Sequence, residues 1–229
     1  MSAPLPSRER PPQPAARRQV DTRYPVLPAL LDRWSPRSFA DRQPADDALG
    51  SIFEAARLAP SAHNSQPSRF MLGRRGQGTM FQRLFDCLDP HNQEWAHAAP
   101  VLVLASVARR RFSAVTGEFV AYPHGLHDLG LAIMSMIVQA QALDLHCHPL
   151  AAFDTERAQA EFAIPPLYLP AMILAIGHLG PADALPADLR TKETARRTRR
   201  TLEELVFEDE WGQAARLFAP RHEPPPAGS

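Results

Sequence analysis

Hydrophobic residues recur at helical spacing in several stretches of the chain. Apolar positions three and four residues apart, followed by Pro60, predict a helix that is capped by Asp46 and ends at Ala59. A second apolar stripe runs through residues 126–143. Because the other faces of that helix are also largely apolar, it is expected to lie at the centre of the fold. Shorter helices are predicted for residues 24–33, for residues 80–88 and, after a cap at Asp154 or Thr155, up to Phe162.

Short apolar runs predict the strands. Residues 101–107 and 171–178 are nearly continuous runs of apolar side chains, of the length typical of buried strands. Residues 69–73 could form a further short strand. Strands interspersed with longer helices, without a regular β-α-β alternation, favour an α+β sandwich in which helices pack on a central sheet.

The length and the composition favour a single domain. The chain has 229 residues, of which 45% are hydrophobic, and this is enough for one sizeable core. Residues 1–23 are rich in Pro, Arg and Ala, and residues 220–229 contain three consecutive prolines. Both ends are expected to be disordered, which leaves residues 24–219 as the folded domain. No apolar stretch near the N-terminus has the form of a secretory signal.

Charge and cysteine content narrow the function classes. The 25 Lys and Arg residues balance 25 Asp and Glu residues, so there is no electrostatic case for binding nucleic acid or an anionic membrane. The apolar stretch 126–145 carries polar side chains that would be costly in lipid, so no membrane span is expected. Cys87 and Cys147 fit no metal or redox motif, which predicts reduced, buried thiols and a cytoplasmic location.

Three polar segments are candidates for ligand binding. Arg33-x-Ser35-x-Arg37 places two guanidinium groups and a hydroxyl on one loop, and Arg suits phosphate because its planar fork matches two oxygens. Residues 59–67 are dense in Ser, Asn and Gln, and residues 196–200 include four Arg. Each segment alone is also consistent with an ordinary surface: a solvated loop, a turn that bonds to its own backbone, or a solvated basic face.

The histidines form no complete metal site in the sequence. His124-x-x-His127 and His146-x-His148 are the closest pairs, and neither has the partners that a zinc site needs at the right spacing. We therefore expect no metal. His146 and His148 would share one side of an extended segment, where a place in an acceptor pocket or plain polar packing is the interpretation. No Ser-His-Asp or Cys-His set is evident, so no catalytic side chain is assigned.

Four segments, in this order along the chain, resemble the nitroreductase family. The resemblance spans roughly residues 24–212. It is carried by Arg33-Trp34-Ser35-Pro36-Arg37-Ser38-Phe39 with residues 54–67, by Asn92-Gln93-Glu94-Trp95 with residues 99–104, by residues 127–132 with residues 149–154, and by residues 197–205.

The resemblance implies a fold, an assembly and a cofactor. The fold would be an α+β sandwich with a central, mainly antiparallel sheet flanked by helices, and two chains would intertwine as a homodimer that holds two FMN molecules at its interface. The residues implied to bind FMN are Arg33, Trp34 and Ser35 at its phosphate and ribityl end, Arg37 near N1 and the C2 carbonyl, Pro60, Ser61, Ala62 and Asn64 from the partner chain, Asn92 or Gln93 at the pyrimidine edge, Pro149, Leu150, Ala151 and Ala152 beside the ring with a backbone N–H near N5, and Arg197 and Arg199 at the phosphate.

The activity that the resemblance implies belongs to the flavin rather than to a side chain. NADH or NADPH would supply hydride, and nitroaromatic, quinone-like or other small electron-poor acceptors would be reduced in a ping-pong cycle. One alternative is a non-enzymatic FMN-binding or sensor protein on the same fold. Another is a specialised branch that performs dehalogenation or flavin fragmentation. Such branches differ in lids over the flavin, and only the short stretch 109–123 could hold one, which favours an open site with a broad acceptor range.

Overall fold

A computed structural model describes residues 20–218 of the protein. Residues 1–19 of the predicted N-terminal arm and the whole predicted tail 220–229 lie outside the described residues. The helices are α1 (Pro28–Asp32), α2 (Asp46–Arg57), α3 (Met80–Phe85), α4 (Pro90–Ala96), α5 (Gly125–Ala142), α6 (Thr155–Glu161) and α7 (Ala187–Thr194). The strands are β1 (Ser68–Arg74), β2 (Val101–Ala108), β3 (Arg110–Ser113), β4 (Glu118–Ala121), β5 (His146–Leu150) and β6 (Tyr168–Gly177).

Four strands form one antiparallel sheet in the order β1-β2-β6-β5. β2 lies inside the sheet, and its side chains from Val101 to Val107 are buried on both faces, which explains why this run is continuously apolar rather than alternating. Helices cover both faces of the sheet, so the predicted α+β sandwich is confirmed. β3 and β4 form a separate hairpin. The hydrophobic pattern does not predict this hairpin, because few of its side chains are buried.

Each face of the sheet carries its own hydrophobic core. On one face, α2 and α5 pack against Val101 and Val103, and Cys147 lies in this core. On the other face, α3, α4, α6 and α7 pack against Leu102 and Leu104, and Cys87 lies in that core. Both cysteines are free and buried, as expected.

α5 confirms the predicted central helix. Leu129, Ile133 and Met136 fall on its buried face, and complete burial of a side chain such as Met136 contributes about 1.5–3 kcal/mol. Within the described residues, neither α5 nor any other helix combines the length and the apolar character needed to cross a membrane.

The start of α2 differs from the prediction. The helix begins at Asp46 itself, Ala45 takes the cap position, and no side chain caps the helix. The Asp46 carboxylate instead pairs with Arg74 of β1 at 2.6 Å, so the prediction of Asp46 as the cap is wrong. The helix ends at Arg57, two residues before the predicted end.

The other helix boundaries follow local geometry. α3 ends at Phe85 rather than at Leu88, because Leu88 forms a β-bridge with Phe153. The Asp154 carboxylate accepts a hydrogen bond from the Arg157 N–H at 2.8 Å, so the predicted cap of α6 is confirmed. α1 covers only five of the residues in the predicted helix 24–33.

Candidate functional site

The chain that follows α1 is fixed along one end of the sheet. Phe39 pairs with Leu179 in an antiparallel bridge, and the Ser38 hydroxyl donates to the Pro181 carbonyl at 2.7 Å. Gly180 approaches Phe39 so closely that a Cβ would come within 2.6 Å of the Phe39 carbonyl carbon. Only glycine leaves room for this approach. The preceding loop, which carries the predicted phosphate ligands, is therefore anchored at its C-terminal end.

That loop borders a cavity of about 290 Å³, which we call the Arg33 cavity. Lys192 and Glu193 of α7 line it as well, and the sequence gives no pattern that singles out either residue. The predicted site residues that the structure brings together here, although they come from two distant parts of the chain, are Arg33, Trp34, Ser35, Arg197 and Arg199.

Several positive groups in and beside the Arg33 cavity have no partner among residues 20–218. Arg33 Nε and Arg37 Nε are buried and meet no hydrogen-bond acceptor among residues 20–218. Burial, together with the neighbouring charge of Arg199, lowers the pKa of the Arg33 guanidinium, because both disfavour its charged form. Arg200 pairs with Glu204 at 3.7 Å, whereas in the described part of the chain neither Arg33 nor Arg199 pairs with a carboxylate. A bound anion would stabilise both cations.

Two side chains hold the loop against the C-terminal segment. The buried Glu193 carboxylate accepts a hydrogen bond from the Arg37 backbone N–H at 2.9 Å. The Arg197 guanidinium donates to the carbonyls of Leu31 and Arg33 at the C-terminal end of α1, where a cation also complements the helix dipole. Arg197 is therefore engaged by the backbone of the loop. Arg199 donates only to the adjacent Thr198 carbonyl among the hydrogen bonds of the described residues.

Two buried histidines of β5 pack against tryptophan rings: His148 stacks on Trp95, and His146 contacts Trp34 with the ring planes tilted by 60°. His146 and His148 are two residues apart on a strand and so share one face. The His146 ring lies 4.7 Å from the Trp34 ring, and the His148 ring lies 4.6 Å from the Trp95 ring. Among residues 20–218, no three side chains of the metal-binding types converge.

His148 also ties β5 to the Arg33 loop. Its Nδ1 lies 2.9 Å from the Pro36 carbonyl oxygen, and because a carbonyl can only accept, Nδ1 carries the hydrogen. Burial lowers the pKa of His148 to about 4, and the charges of Arg37 and Arg33 act in the same direction. The ring is therefore neutral at neutral pH.

Ala152, which follows β5 and was predicted to lie beside the flavin, contacts α4. Asn92 Nδ2 donates to the Ala152 carbonyl at 3.2 Å, and Ala151 and Ala152 are both exposed. Gln93 Nε2 donates instead to the carbonyls of Phe85 and Leu88, at 3.2 and 3.1 Å. Of the two alternatives for the flavin edge, Asn92 is thus the residue that lies beside the segment 149–152.

A buried carboxylate, that of Asp128, holds the polar turn that follows α2 by a hydrogen bond. Asp128 of α5 is 2% exposed, and its Oδ2 accepts from the Ala62 N–H at 3.0 Å and from the Tyr122 hydroxyl. Its Oδ1 lies 2.9 Å from His127 Nδ1. Burial acts to raise the pKa of Asp128, but the hydrogen bonds outweigh it and the pKa is lowered. This role of Asp128 was not predicted, although an acidic residue inside an apolar helix stripe is itself a signal that donors must be near.

The same turn has an unusual backbone. His63, Asn64 and Gln66 have φ values of 56°, 51° and 46°, a region that costs non-glycine residues of order 1 kcal/mol each. Pro60 and Ser61 line a cavity of about 230 Å³. Asn64 lines another of about 360 Å³, between the turn and the β3–β4 hairpin. Within one chain, three of the four residues predicted to reach FMN from the partner, Pro60, Ser61 and Asn64, therefore line cavities other than the Arg33 cavity.

Comparisons with known proteins agree on one family. Residues 30–178 match the model of the nitroreductase family. A Streptomyces coelicolor protein named as a predicted NADH dehydrogenase/NAD(P)H nitroreductase is 33% identical over 165 residues, which cover 65% of this chain and 80% of that protein. An uncharacterised 15.4 kDa protein of Mycolicibacterium smegmatis is 32% identical over 151 residues, covering 63% of this chain and 97% of its own.

Solved structures extend the comparison to the fold. The crystal structure of an FMN-containing oxidoreductase superposes with a TM-score of 0.77 at 32% identity, covering 83% of this chain and 95% of that one. A nitroreductase-like protein from Desulfovibrio desulfuricans, solved in complex with FMN, superposes with a TM-score of 0.62 at 25% identity, covering 83% of this chain and 99% of its own.

Proposed function

Because the chain belongs to the nitroreductase family, we propose that it is an FMN-dependent oxidoreductase that takes electrons from NAD(P)H and reduces small electron-poor acceptors such as nitroaromatics and quinones. When bound, FMN supplies the redox chemistry: it accepts hydride from the nicotinamide and passes it to the acceptor. The protein binds and orients the flavin and sets the charge around it.

The observation that carries the proposal is the charge of Arg33 and Arg199, which line the Arg33 cavity and form no ion pair among residues 20–218. Two buried guanidinium nitrogens, on Arg33 and Arg37, have no acceptor within the described residues, and Arg199 adds a further cation. A phosphate dianion supplies acceptors and the opposite charge at once. The residues present therefore fit the phosphate end of FMN. Ser35 would add a hydroxyl donor, while Arg197 would position the loop through the Leu31 and Arg33 carbonyls.

The rest of the chain supports a ring site next to that phosphate site. Arg37 lies two residues after Ser35, and its charge would stabilise the anionic character of the reduced flavin. His148 and Pro36 connect the loop to β5, so the segment 149–152 lies on the same side of the fold. Asn92, which donates to Ala152, is proposed at the polar edge of the ring.

We propose a homodimer in which the turn 60–64 of one chain completes the site of the other. The support is that Pro60, Ser61 and Asn64 do not line the Arg33 cavity of their own chain. Sedimentation of the FMN-loaded protein is expected to show a dimer. A monomer that retains FMN would overturn the shared site while leaving the phosphate assignment in place.

The experiment that tests the function is a visible absorbance spectrum of the purified protein supplied with FMN, followed by anaerobic addition of NADH or NADPH. We expect protein-bound flavin that bleaches with the nucleotide and recovers when a quinone or a nitroaromatic is added. Parallel lines in double-reciprocal plots would support the ping-pong cycle. Bound flavin that never bleaches would overturn the enzyme proposal and favour an FMN-binding protein, and failure to retain FMN would overturn the cofactor assignment.

A further inference from the structure

A second cluster of arginines lies outside the Arg33 cavity. The cavity of about 360 Å³ between the turn 63–67 and the β3–β4 hairpin, here called the hairpin cavity, is lined by three arginines and three exposed or partly exposed aromatic residues. These are Arg69, Arg110, Arg111, Phe112, Phe119 and Tyr168.

Among residues 20–218, the three arginines have no carboxylate partner. No Asp or Glu lines the hairpin cavity, and in the described part of the chain none of the three forms an ion pair. Their hydrogen bonds go to backbone carbonyls: Arg69 donates to Gln66 and Ser68, Arg110 to Phe119, and Arg111 to Phe112. Carbonyls satisfy the N–H groups but leave the net charge uncompensated. Such a cavity favours an anionic ligand.

The aromatic residues supply the other half of a recognition surface. Phe112 and Phe119 face each other across the hairpin, with ring centroids 5.8 Å apart in an edge-to-face arrangement. They are 58% and 49% exposed, which is costly for large apolar side chains unless a ligand covers them. The Arg69 guanidinium lies 5.5 Å from the centre of the Tyr168 ring, so charge and aromatic surface meet at one wall.

The position of the hairpin cavity connects it to the reaction. His63 and Asn64, which line it, belong to the turn proposed to reach FMN of the partner chain. We propose that the hairpin cavity binds the negatively charged group of an aromatic electron acceptor, so that the enzyme prefers aromatic carboxylates or related anions over neutral aromatics of the same shape. This inference rests on the proposed function for the identity of the ligand as the acceptor, and on the cavity alone for its charge and aromatic character.

The kinetic test compares 4-nitrobenzoate with neutral 4-nitrobenzyl alcohol on the FMN-loaded enzyme, with the same electron donor. The wild type is expected to have the lower KM for the anion. In the double variant Arg110→Gln/Arg111→Gln, the ratio of the neutral KM to the anionic KM should fall at least about tenfold, which is the worth of a single charge-assisted hydrogen bond to a ligand. The exposed Arg42→Gln, outside the cavity, is the matched control and should leave the ratio as in the wild type.

A third variant controls for the possibility that the double substitution disrupts the β3–β4 hairpin. Arg69→Gln lies on β1, so the pairing of β3 with β4 does not depend on it, and it should lower the same ratio. An equal KM for the two acceptors in the wild type would overturn the inference. So would a ratio that survives all three substitutions. A change confined to the preference for NADPH over NADH would also overturn it, because the cavity would then hold the 2′-phosphate of the electron donor.

A binding measurement separates this inference from the proposed function. Isothermal titration of 4-nitrobenzoate into the oxidised protein, with and without FMN, should give a dissociation constant that rises with salt and rises again when Arg110 and Arg111 are replaced. Arginine-dependent binding by a protein that retains no FMN would remove the proposed function and keep the anion site. Turnover with NAD(P)H but no arginine-dependent binding would keep the function and remove the anion site.

Discussion

The Arg33 cavity and the turn anchored by Asp128 show opposite electrostatic states within one chain. At Asp128, a buried negative charge is surrounded by donors from the turn and from Tyr122, and every one of them belongs to the chain. At Arg33, the buried Nε donors of Arg33 and Arg37 meet no acceptor, and neither Arg33 nor the nearby Arg199 forms an ion pair among the described residues. The first arrangement is complete when the chain folds, whereas the second would be completed by a bound anion.

This difference separates polar clusters that stabilise the fold from polar clusters that are suited to ligand binding. Both clusters involve polar segments that look alike in sequence, and both fix a loop at the end of a helix. Only the balance of donors, acceptors and charge tells them apart. Substitutions in the Asp128 cluster are therefore expected to change the free energy of unfolding, whereas substitutions in the Arg33 cavity are expected to change FMN affinity.

The largest expected effect is that of Asp128→Ala. It leaves the partly buried Ala62 N–H without its acceptor and removes the hydrogen bond from Tyr122 to a charged carboxylate, although the Tyr122 hydroxyl keeps the Ala62 carbonyl as an acceptor. The loss should be about 4 kcal/mol of unfolding free energy, at roughly 1–3 kcal/mol for the unsatisfied N–H and roughly 1.5–3 kcal/mol for the hydrogen bond to the charged group. Urea unfolding measures the loss. Asp47→Ala, in the exposed first turn of α2, is the control and should cost well under about 1 kcal/mol. Equal losses for both variants would contradict the role of Asp128 as an anchor.

The next effect concerns His148, on the Arg33 side of the comparison. Folding lowers its pKa from the ordinary 6.5 to about 4, so the unfolded chain binds the proton more tightly. Stability is therefore lost as the pH falls from about 6.5 to about 4, by roughly 3 kcal/mol in total. Urea unfolding of the FMN-free protein across this range should show the slope. His148→Gln should flatten it, while the exposed His91→Gln should not.

A smaller change, in affinity rather than stability, is expected for Arg199→Gln. Removing one charge from the Arg33 cavity should raise the dissociation constant of FMN about tenfold, because one charge-assisted contact with phosphate is lost. The melting temperature of the FMN-free protein should not fall, since Arg199 acts unfavourably on Arg33. Arg200→Gln is the neighbouring control, paired with Glu204. Identical FMN affinity in both variants would remove Arg199 from the phosphate site.

The smallest expected effect is that of Tyr122→Phe. Asp128 keeps the Ala62 N–H and His127 as partners, so the loss of one hydroxyl should cost about 1 kcal/mol. Combined with Asp128→Ala in a double-mutant cycle, the two losses should sum to less than full additivity, because both remove the Tyr122–Asp128 hydrogen bond, while the contact of the hydroxyl with the Ala62 carbonyl at 3.0 Å belongs to Tyr122 alone. Additive losses would show that Tyr122 stabilises the turn independently of Asp128.

The sequence predicts the interior of this fold better than its edges. β2 and α5 are recognisable because burial on both sides leaves continuous apolar residues, as at Val101–Ala108. The β3–β4 hairpin and α7 are not recognisable from the sequence, since most of their side chains are exposed and show no apolar periodicity.

The candidate site shows the same division. Arg33, Ser35 and Arg199 are recognisable from local motifs, and the structure gathers them in one cavity. The contacts that position these residues cannot be recognised from local motifs, because Glu193, which binds the Arg37 N–H, comes from a distant part of the chain. Asp128 likewise meets Ala62 only after α2 and α5 have packed together.

One buried cysteine lies in the hydrophobic core on each side of the sheet, Cys87 on one side and Cys147 on the other. The labelling rate of each thiol therefore reports how often its own core opens. Burial raises the pKa of Cys87, and it raises that of Cys147 to about 12, so neither thiol reacts as the nucleophilic thiolate while its layer is closed. Alkylation by a small reagent must wait until that layer opens. Equal labelling rates would mean that both layers leave the sheet in one cooperative event. Earlier labelling of Cys87 would mean that α3, α4 and α6 separate while α5 still covers Cys147.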